Sequence, residues 1–200
     1  MAPTGPADLR TLQRELPIRM RIEGLVYLFG FIASIPLANW MIGHVGTFCV
    51  PDGPCMVPVL PGLVAPSGVL AVGCAFVLRD LVQRRLGKAW TLGAIAVGSL
   101  LSAALAPPAL VLASATAFGL SELADFAVYT PLQQRRLITA VALSSIVGLV
   151  IDSIVFLYLA FGNLDYLLGQ IVGKTWMVVL ALPMIWWMRE RDHRLGIEPA

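Results

Sequence analysis

The sequence predicts an all-α integral membrane protein, a single domain of six transmembrane helices with both termini in the cytoplasm. Three observations carry this reading. Of 200 residues, 58% are apolar and only 13% charged, with a mean hydropathy of +0.82, whereas an average soluble domain has roughly 25% charged residues. The apolar residues fall into six stretches, each near the roughly 20 residues that a spanning helix needs. Finally, Lys and Arg concentrate in alternate connections, as they do in short cytoplasmic loops.

Residues 1–21 read as a polar cytoplasmic lead-in passing through Pro3 and Pro6. They lack the compact basic-plus-apolar design and the small-residue cleavage site of a secretory signal. The membrane domain is expected over residues 22–188. Its first span runs from about Ile22 to Ile42, its second from Leu60 to Leu78 and its third from Trp90 to Ala106. Pro107-Pro108 separates the third from a fourth that extends to Asp125, because proline cannot continue a helix. The fifth is expected over Leu137 to Phe161 and the sixth over Leu164 to Met188, followed by a cytoplasmic tail, residues 189–200.

Basic residues set the orientation. The lead-in carries Arg10, Arg14, Arg19 and Arg21; the second connection Arg79, Arg84, Arg85 and Lys88; the fourth Arg135 and Arg136; the tail Arg189, Arg191 and Arg194. The slight positive charge therefore follows topology and gives no basic patch for nucleic acid. The longest external loop holds Cys49-Val-Pro-Asp-Gly-Pro-Cys55, which on an oxidising face is either a small disulfide staple or two free thiols. Cys74 reads as a small buried apolar residue. With His44 and His193 both outside the spans, neither histidine catalysis nor a zinc site is indicated, and no cofactor is expected.

Four charges within the spans ask for a reason: Glu122, Asp125, Asp152 and Lys174. An ionisable group at membrane depth costs about 2.5 kcal/mol or more and so faces a cavity or a partner. At about 1.5 Å rise per residue, Glu122 falls in the cytoplasmic half, Asp152 in the outer half and Lys174 near the midplane. The four are expected to line one polar pocket with Lys174 as the bridge; the alternative is an Asp152–Lys174 pair that only braces two helices. Arg79-Asp80 reads either as a latch against Asp125 or as an interface anchor. Ser67, in Pro66-Ser67-Gly68, marks either an opened helix that lines a cavity or a plain kink. Gly30, Ser34 and Ala38 form a small-residue stripe for close helix approach. Asn39 and Trp40 follow at the outer end of the first span, where an amide could read a polar ligand edge and an indole could stack or sit in the interfacial belt. Trp186-Trp187 belong to that belt.

Ala38-Asn39-Trp40, Arg79-Asp80-Leu81 followed by Gly87, Glu122 with Asp125, Ser144 with Gly148 and Asp152, and Lys174 with Leu182-Pro183 together resemble the queuosine precursor transporter family, vitamin-uptake-like transporters. The resemblance covers nearly the whole chain. It implies six helices similar to the substrate-binding component fold of energy-coupling-factor transporters, and uptake of a deazapurine such as 7-cyano-7-deazaguanine across the cell (inner) membrane. The chain departs from the family's pattern at Glu122, where an amide is common, and at Leu149, where a polar residue is common.

The chemistry suits that ligand class. A deazaguanine presents adjacent N–H donors that a carboxylate, Glu122 or Asp152, can accept together, and a carbonyl that Lys174 or Asn39 can serve. Trp40 or Phe126 could stack on the base, worth about 1–3 kcal/mol. Two alternatives stand beside transport. One is a vitamin-binding subunit that needs an energising partner, and a homo-oligomer is equally open. The other, an intramembrane enzyme, finds no nucleophile-and-base pair: adjacent Ser121 and Glu122 point about 100° apart on a helix.

Overall fold

The computed structural model describes residues 6–50, 53–106 and 108–197, and the side chains among them except those of 6–17 and 109. Six helices follow in order: α1 Pro6–His44, α2 Val69–Leu86, α3 Lys88–Leu105, α4 Val111–Leu132, α5 Leu137–Phe161 and α6 Leu167–Leu195. Five of them, all except α2, are long and apolar enough to cross a membrane. This is a multi-pass, helical membrane protein. Large apolar side chains such as Phe29, Leu100, Leu112 and Leu180 lie exposed on the outside of the bundle, where lipid rather than water is their solvent.

α2 fails the apolar criterion because it carries Arg79, Asp80, Arg84 and Arg85, and the fold shows how it tolerates them. It packs against α1, α3, α4, α5 and α6, and those four charged residues are all buried. One core cluster joins Phe76, Val77 and Leu81 of α2 to Tyr129, Val141, Leu149, Val178 and Ile185. A second joins Ala75 of α2 to Phe31, Ile35, Ala94 and Phe118. Encased by neighbours, α2 meets protein partners instead of hydrocarbon, so hydropathy understates its role.

Between α1 and α2 the second span expected from Leu60 is not a helix at its start. Phe48–Cys49, Cys55–Leu60 and Leu63–Pro66 are strands β1, β2 and β3 of a small antiparallel sheet in the order β1-β2-β3. Pro58, Pro61 and Pro66 deny a helix its N–H donors, and Gly62 turns the hairpin at φ 76°. Cys49 and Cys55 face each other in the β1–β2 register and are disulfide-bonded; Pro51 and Asp52 between them lie outside the described residues. The Trp176 indole N–H of α6 donates to the Val59 carbonyl at 3.1 Å, tying the hairpin to the bundle.

Other boundaries differ by extension. Helical backbone begins at Pro6, well ahead of Ile22, while residues 1–5, Pro3 among them, lie outside the described residues. α4 continues past Asp125 to Leu132, and α6 past Met188 to Leu195. Pro107 is outside the described residues, but α3 does end at Leu105 and a short 3-10 turn, Pro108–Leu110, leads into α4. Gly87 makes the tight α2–α3 turn at φ 87°, a conformation that favours glycine. At the end of the bundle that holds the two terminal helices' outer turns, Glu23 of α1 accepts from Arg85 and Arg191, while Asp192 of α6 accepts from Arg84 and Arg85.

Candidate functional site

The intramembrane charges form two centres rather than the single pocket expected from the sequence. The first lies beneath the hairpin. α5 climbs toward the hairpin end and α6 descends from it, so Asp152 and Lys174 meet at one level. The Lys174 ammonium donates to Asp152 Oδ2 at 2.6 Å, Gln170 Oε1 at 2.7 Å and Ser153 Oγ at 2.8 Å. An ammonium has three protons, and all three are used. Since lysine only donates, the Gln170 carbonyl oxygen must face it, which turns the Gln170 amide N–H groups the other way.

Asp152, Lys174 and Gln170 line a cavity with Ser34, Asn39, Ser102, Ser114, Phe118 and Phe156. Pro66 and Gly68 of the hairpin region close its outer side. About 80 Å³ is open to the centre of a water molecule, room for several waters at about 10–15 Å³ each. Asp152 keeps 8% of its surface exposed, whereas Lys174 keeps 1%. The accessible acceptor of this pair is thus the carboxylate, and the wall around it mixes hydroxyls, amides and two phenyl faces.

The second centre lies deeper, roughly 15 Å along α2 from its hairpin end. Arg79 sits among three carboxylates, with Asp125 at 2.6 Å, Asp80 at 2.9 Å and Glu122 at 3.2 Å. Every one of these side chains is at most 1% exposed. Ser144 of α5 donates to Asp80 Oδ2 at 3.2 Å, and the guanidinium lies 5.6 Å from the Tyr129 ring centre, within cation–π range. Gly148 makes this convergence feasible: a Cβ there would lie 2.7 Å from the Phe76 ring and 3.0 Å from Asp125 Cβ. Arg79 therefore does meet Asp125, but in the protein interior and not at the end of the bundle, because α2 continues another two turns to Leu86.

One long contact reaches the cavity from α4: Ser121 Oγ approaches Asp152 Oδ1 at 3.5 Å. Of the other residues singled out in the sequence, Asn39 lines the cavity, its amide N–H donating to the Ile35 carbonyl at 3.0 Å. Trp40 does not line it: 53% exposed, it stacks on His44 with ring centres 5.3 Å apart. One helical step from Asn39 is 100° of rotation, which turns the indole outward. Phe126 does not line the cavity either; it lies two turns beyond Phe118 along α4. Ser67 is not inside a helix; its hydroxyl donates to the Met41 carbonyl at 2.7 Å just before α2 begins.

Sequence reasoning missed Gln170, Phe118, Phe156 and the cavity serines. Gln170 had a signal, since it precedes Lys174 by four residues and so shares its helix face. Phe118 likewise stands four residues before Glu122. The serines and Phe156 had none, because a small hydroxyl or a phenyl ring is ordinary in an apolar helix.

Residues 101–188 match a family model described as "Putative vitamin uptake transporter". The matched stretch runs from the end of α3 into α6 and contains Glu122, Asp125, Ser144, Asp152 and Lys174; α1 and α2, with Asn39, Arg79 and Asp80, precede it. No curated protein and no solved structure matches the chain. Over that stretch the chain is similar to membrane transporters for vitamin-like small molecules.

Proposed function

We propose that this chain is a multi-pass uptake transporter for a queuosine precursor, 7-cyano-7-deazaguanine or a related deazapurine, with α2 as its sixth span and both termini in the cytoplasm. The observation that carries the reading is the cavity beneath the hairpin, where a carboxylate, an amide pair and two phenyl faces surround a small space. Asp152 Oδ1, engaged only weakly by Ser121, is the acceptor for the two adjacent N–H donors of the base, a charge-assisted contact. The amide groups of Gln170 and Asn39 serve its carbonyl edge, and Phe118 or Phe156 stacks on its face. The site carries no chemical conversion in this reading; it binds and releases.

A bicyclic base needs more room than the cavity offers, since ligand pockets run to about 300 Å³ or more. The wall we assign to yield is the hairpin, the one part of it that is not helical, which packs on α1 and α6 and is tied there by the Trp176–Val59 hydrogen bond. The experiment is complementation. Cells that cannot make the precursor are given this chain and external 7-cyano-7-deazaguanine, and queuosine in their tRNA is measured. The expected result is its appearance; none with well-expressed protein in the membrane would refute the substrate. Repeating the assay in a host without energy-coupling-factor components separates a self-sufficient carrier from a vitamin-binding subunit that requires an energising partner.

A further inference from the structure

The deeper centre has a charge problem that the transport reading leaves unused. One guanidinium faces three carboxylates, so two of them have no counter-cation, and the whole group is sealed from solvent. The charged and titratable groups around it are Arg79, Asp80 and, farther along, Arg84 from α2; Glu122, Asp125 and Tyr129 from α4; Asp152 from α5; and Lys174 from α6. Lys174 is committed to Asp152 and Arg84 to Asp192. Among the described residues α1 and α3 place no charged side chain there; Glu23 of α1 is held by Arg85 and Arg191 at the terminal end.

Second, polar atoms in the centre lack donors. Asp125 Oδ2 and the Tyr129 hydroxyl, both fully buried, have no hydrogen-bond partner among the described residues. An unscreened pair of like charges and an orphaned carboxylate oxygen both call for the same ligand. A proton on one carboxyl removes a charge and converts that group into a donor for its neighbour.

Third, polar groups lie on both sides of the centre. On the hairpin side Ser121, one residue before Glu122 on α4, approaches Asp152 at the cavity. On the terminal side Arg79 Nη1 donates to Gln83 Oε1 at 3.4 Å, and Gln83 Nε2 donates to Thr130 Oγ1 at 2.9 Å. One turn farther, Arg84 and Gln133 line an open polar cavity of about 550 Å³.

We propose that the Arg79–Asp80–Glu122–Asp125 centre is a proton-binding site, and that a proton taken up from the outer cavity and released at the terminal end drives uptake. The step breaks one O–H bond of a hydronium ion in the outer cavity and forms one at a carboxylate oxygen of the centre, and the reverse exchange at the terminal end returns the proton to water. This rests on the transporter reading, and the test separates the two.

The full chain, reconstituted in phosphatidylethanolamine and phosphatidylglycerol vesicles, is compared in infrared spectra at neutral pH in H2O and D2O. A carboxylic-acid C=O band that shifts on exchange, and that changes in Glu122→Gln or Asp125→Asn, is expected. Its absence from the wild-type protein, with all carboxyls as carboxylates, overturns the proposal without recourse to variants. Uptake of labelled 7-cyano-7-deazaguanine is then followed with voltage clamped by potassium and valinomycin. For one proton per substrate, one pH unit acid outside sustains about tenfold accumulation, abolished by a protonophore. Equal uptake with and without the gradient overturns the coupling. Failure to take up this compound under every gradient refutes the substrate assignment instead, and the infrared band alone then decides the proton site.

Discussion

Replacing Lys174 with methionine tests the cavity most directly. The substitution keeps the length of the apolar stem and deletes three hydrogen bonds of 2.6, 2.7 and 2.8 Å. It leaves Asp152 buried with a single 3.5 Å contact to Ser121. Breaking one side of a buried pair costs about 3–5 kcal/mol, and at roughly 2–4 °C per kcal/mol for a chain of this size the Tm should fall by about 6–20 °C. Asp152→Asn together with Lys174→Met removes both charges, and stability should then return to near the wild-type value, since a buried pair replaced by neutral groups is often neutral. Thermal unfolding of the detergent-solubilised protein, followed by size exclusion, reads the stability; labelled-substrate uptake into cells reads the function. If Asp152 grips the ligand, the double variant is stable and inactive. Restored uptake in the double variant would reduce the pair to a brace, and an unchanged Tm in Lys174→Met alone would refute the contact geometry itself.

Asp192→Ala should destabilise by a similar 3–5 kcal/mol, because it strands the buried Arg84 guanidinium and takes two hydrogen bonds from Arg85, which keeps Glu23; the same thermal assay checks it. Gly148→Leu forces a side chain into the space held by Phe76 and Asp125, at 2.7 and 3.0 Å, and should cost about 1–3 kcal/mol or more, with Gly148→Ala milder. Cys49 and Cys55 should resist a membrane-impermeant maleimide added outside the cell until a reductant is supplied. Closing a loop of that length is worth about 2 kcal/mol on the chain-entropy estimate, so Cys49→Ser should lower the Tm modestly. A green fluorescent protein fused after Ala200 should be fluorescent in cells, as a cytoplasmic C-terminus requires; a dark fusion with intact expression would reverse the orientation.

Much of this protein is legible before any coordinates. Composition alone makes it a membrane protein, and the long apolar run of α5, with Asp152 its one charge, marks that helix from Leu137 to Phe161, limits that the structure reproduces. The cost of a charge in lipid also singles out Glu122, Asp125, Asp152 and Lys174 as residues that must face inward. The hairpin was missed because periodicity cannot separate strand from helix over so few apolar residues, although Pro58, Pro61-Gly62 and Pro66 are turn signals in the sequence.

Which charge answers which was legible only in part: Asp152 with Lys174 and Arg79 with Asp125 stood among the alternatives, but the separation into two centres did not. Glu122 and Asp152 look alike in sequence, yet one faces Arg79 in a sealed centre and the other faces Lys174 at a cavity. Hydropathy records what each helix would prefer as its solvent, and so it determines that these chains of apolar residues lie in a bilayer and that their charges turn away from it. The partner of each charge depends on the rotation of every helix about its axis and on how closely glycine at 148 lets α2, α4 and α5 approach. Those are properties of packed surfaces, and they exist only once the helices are assembled around α2.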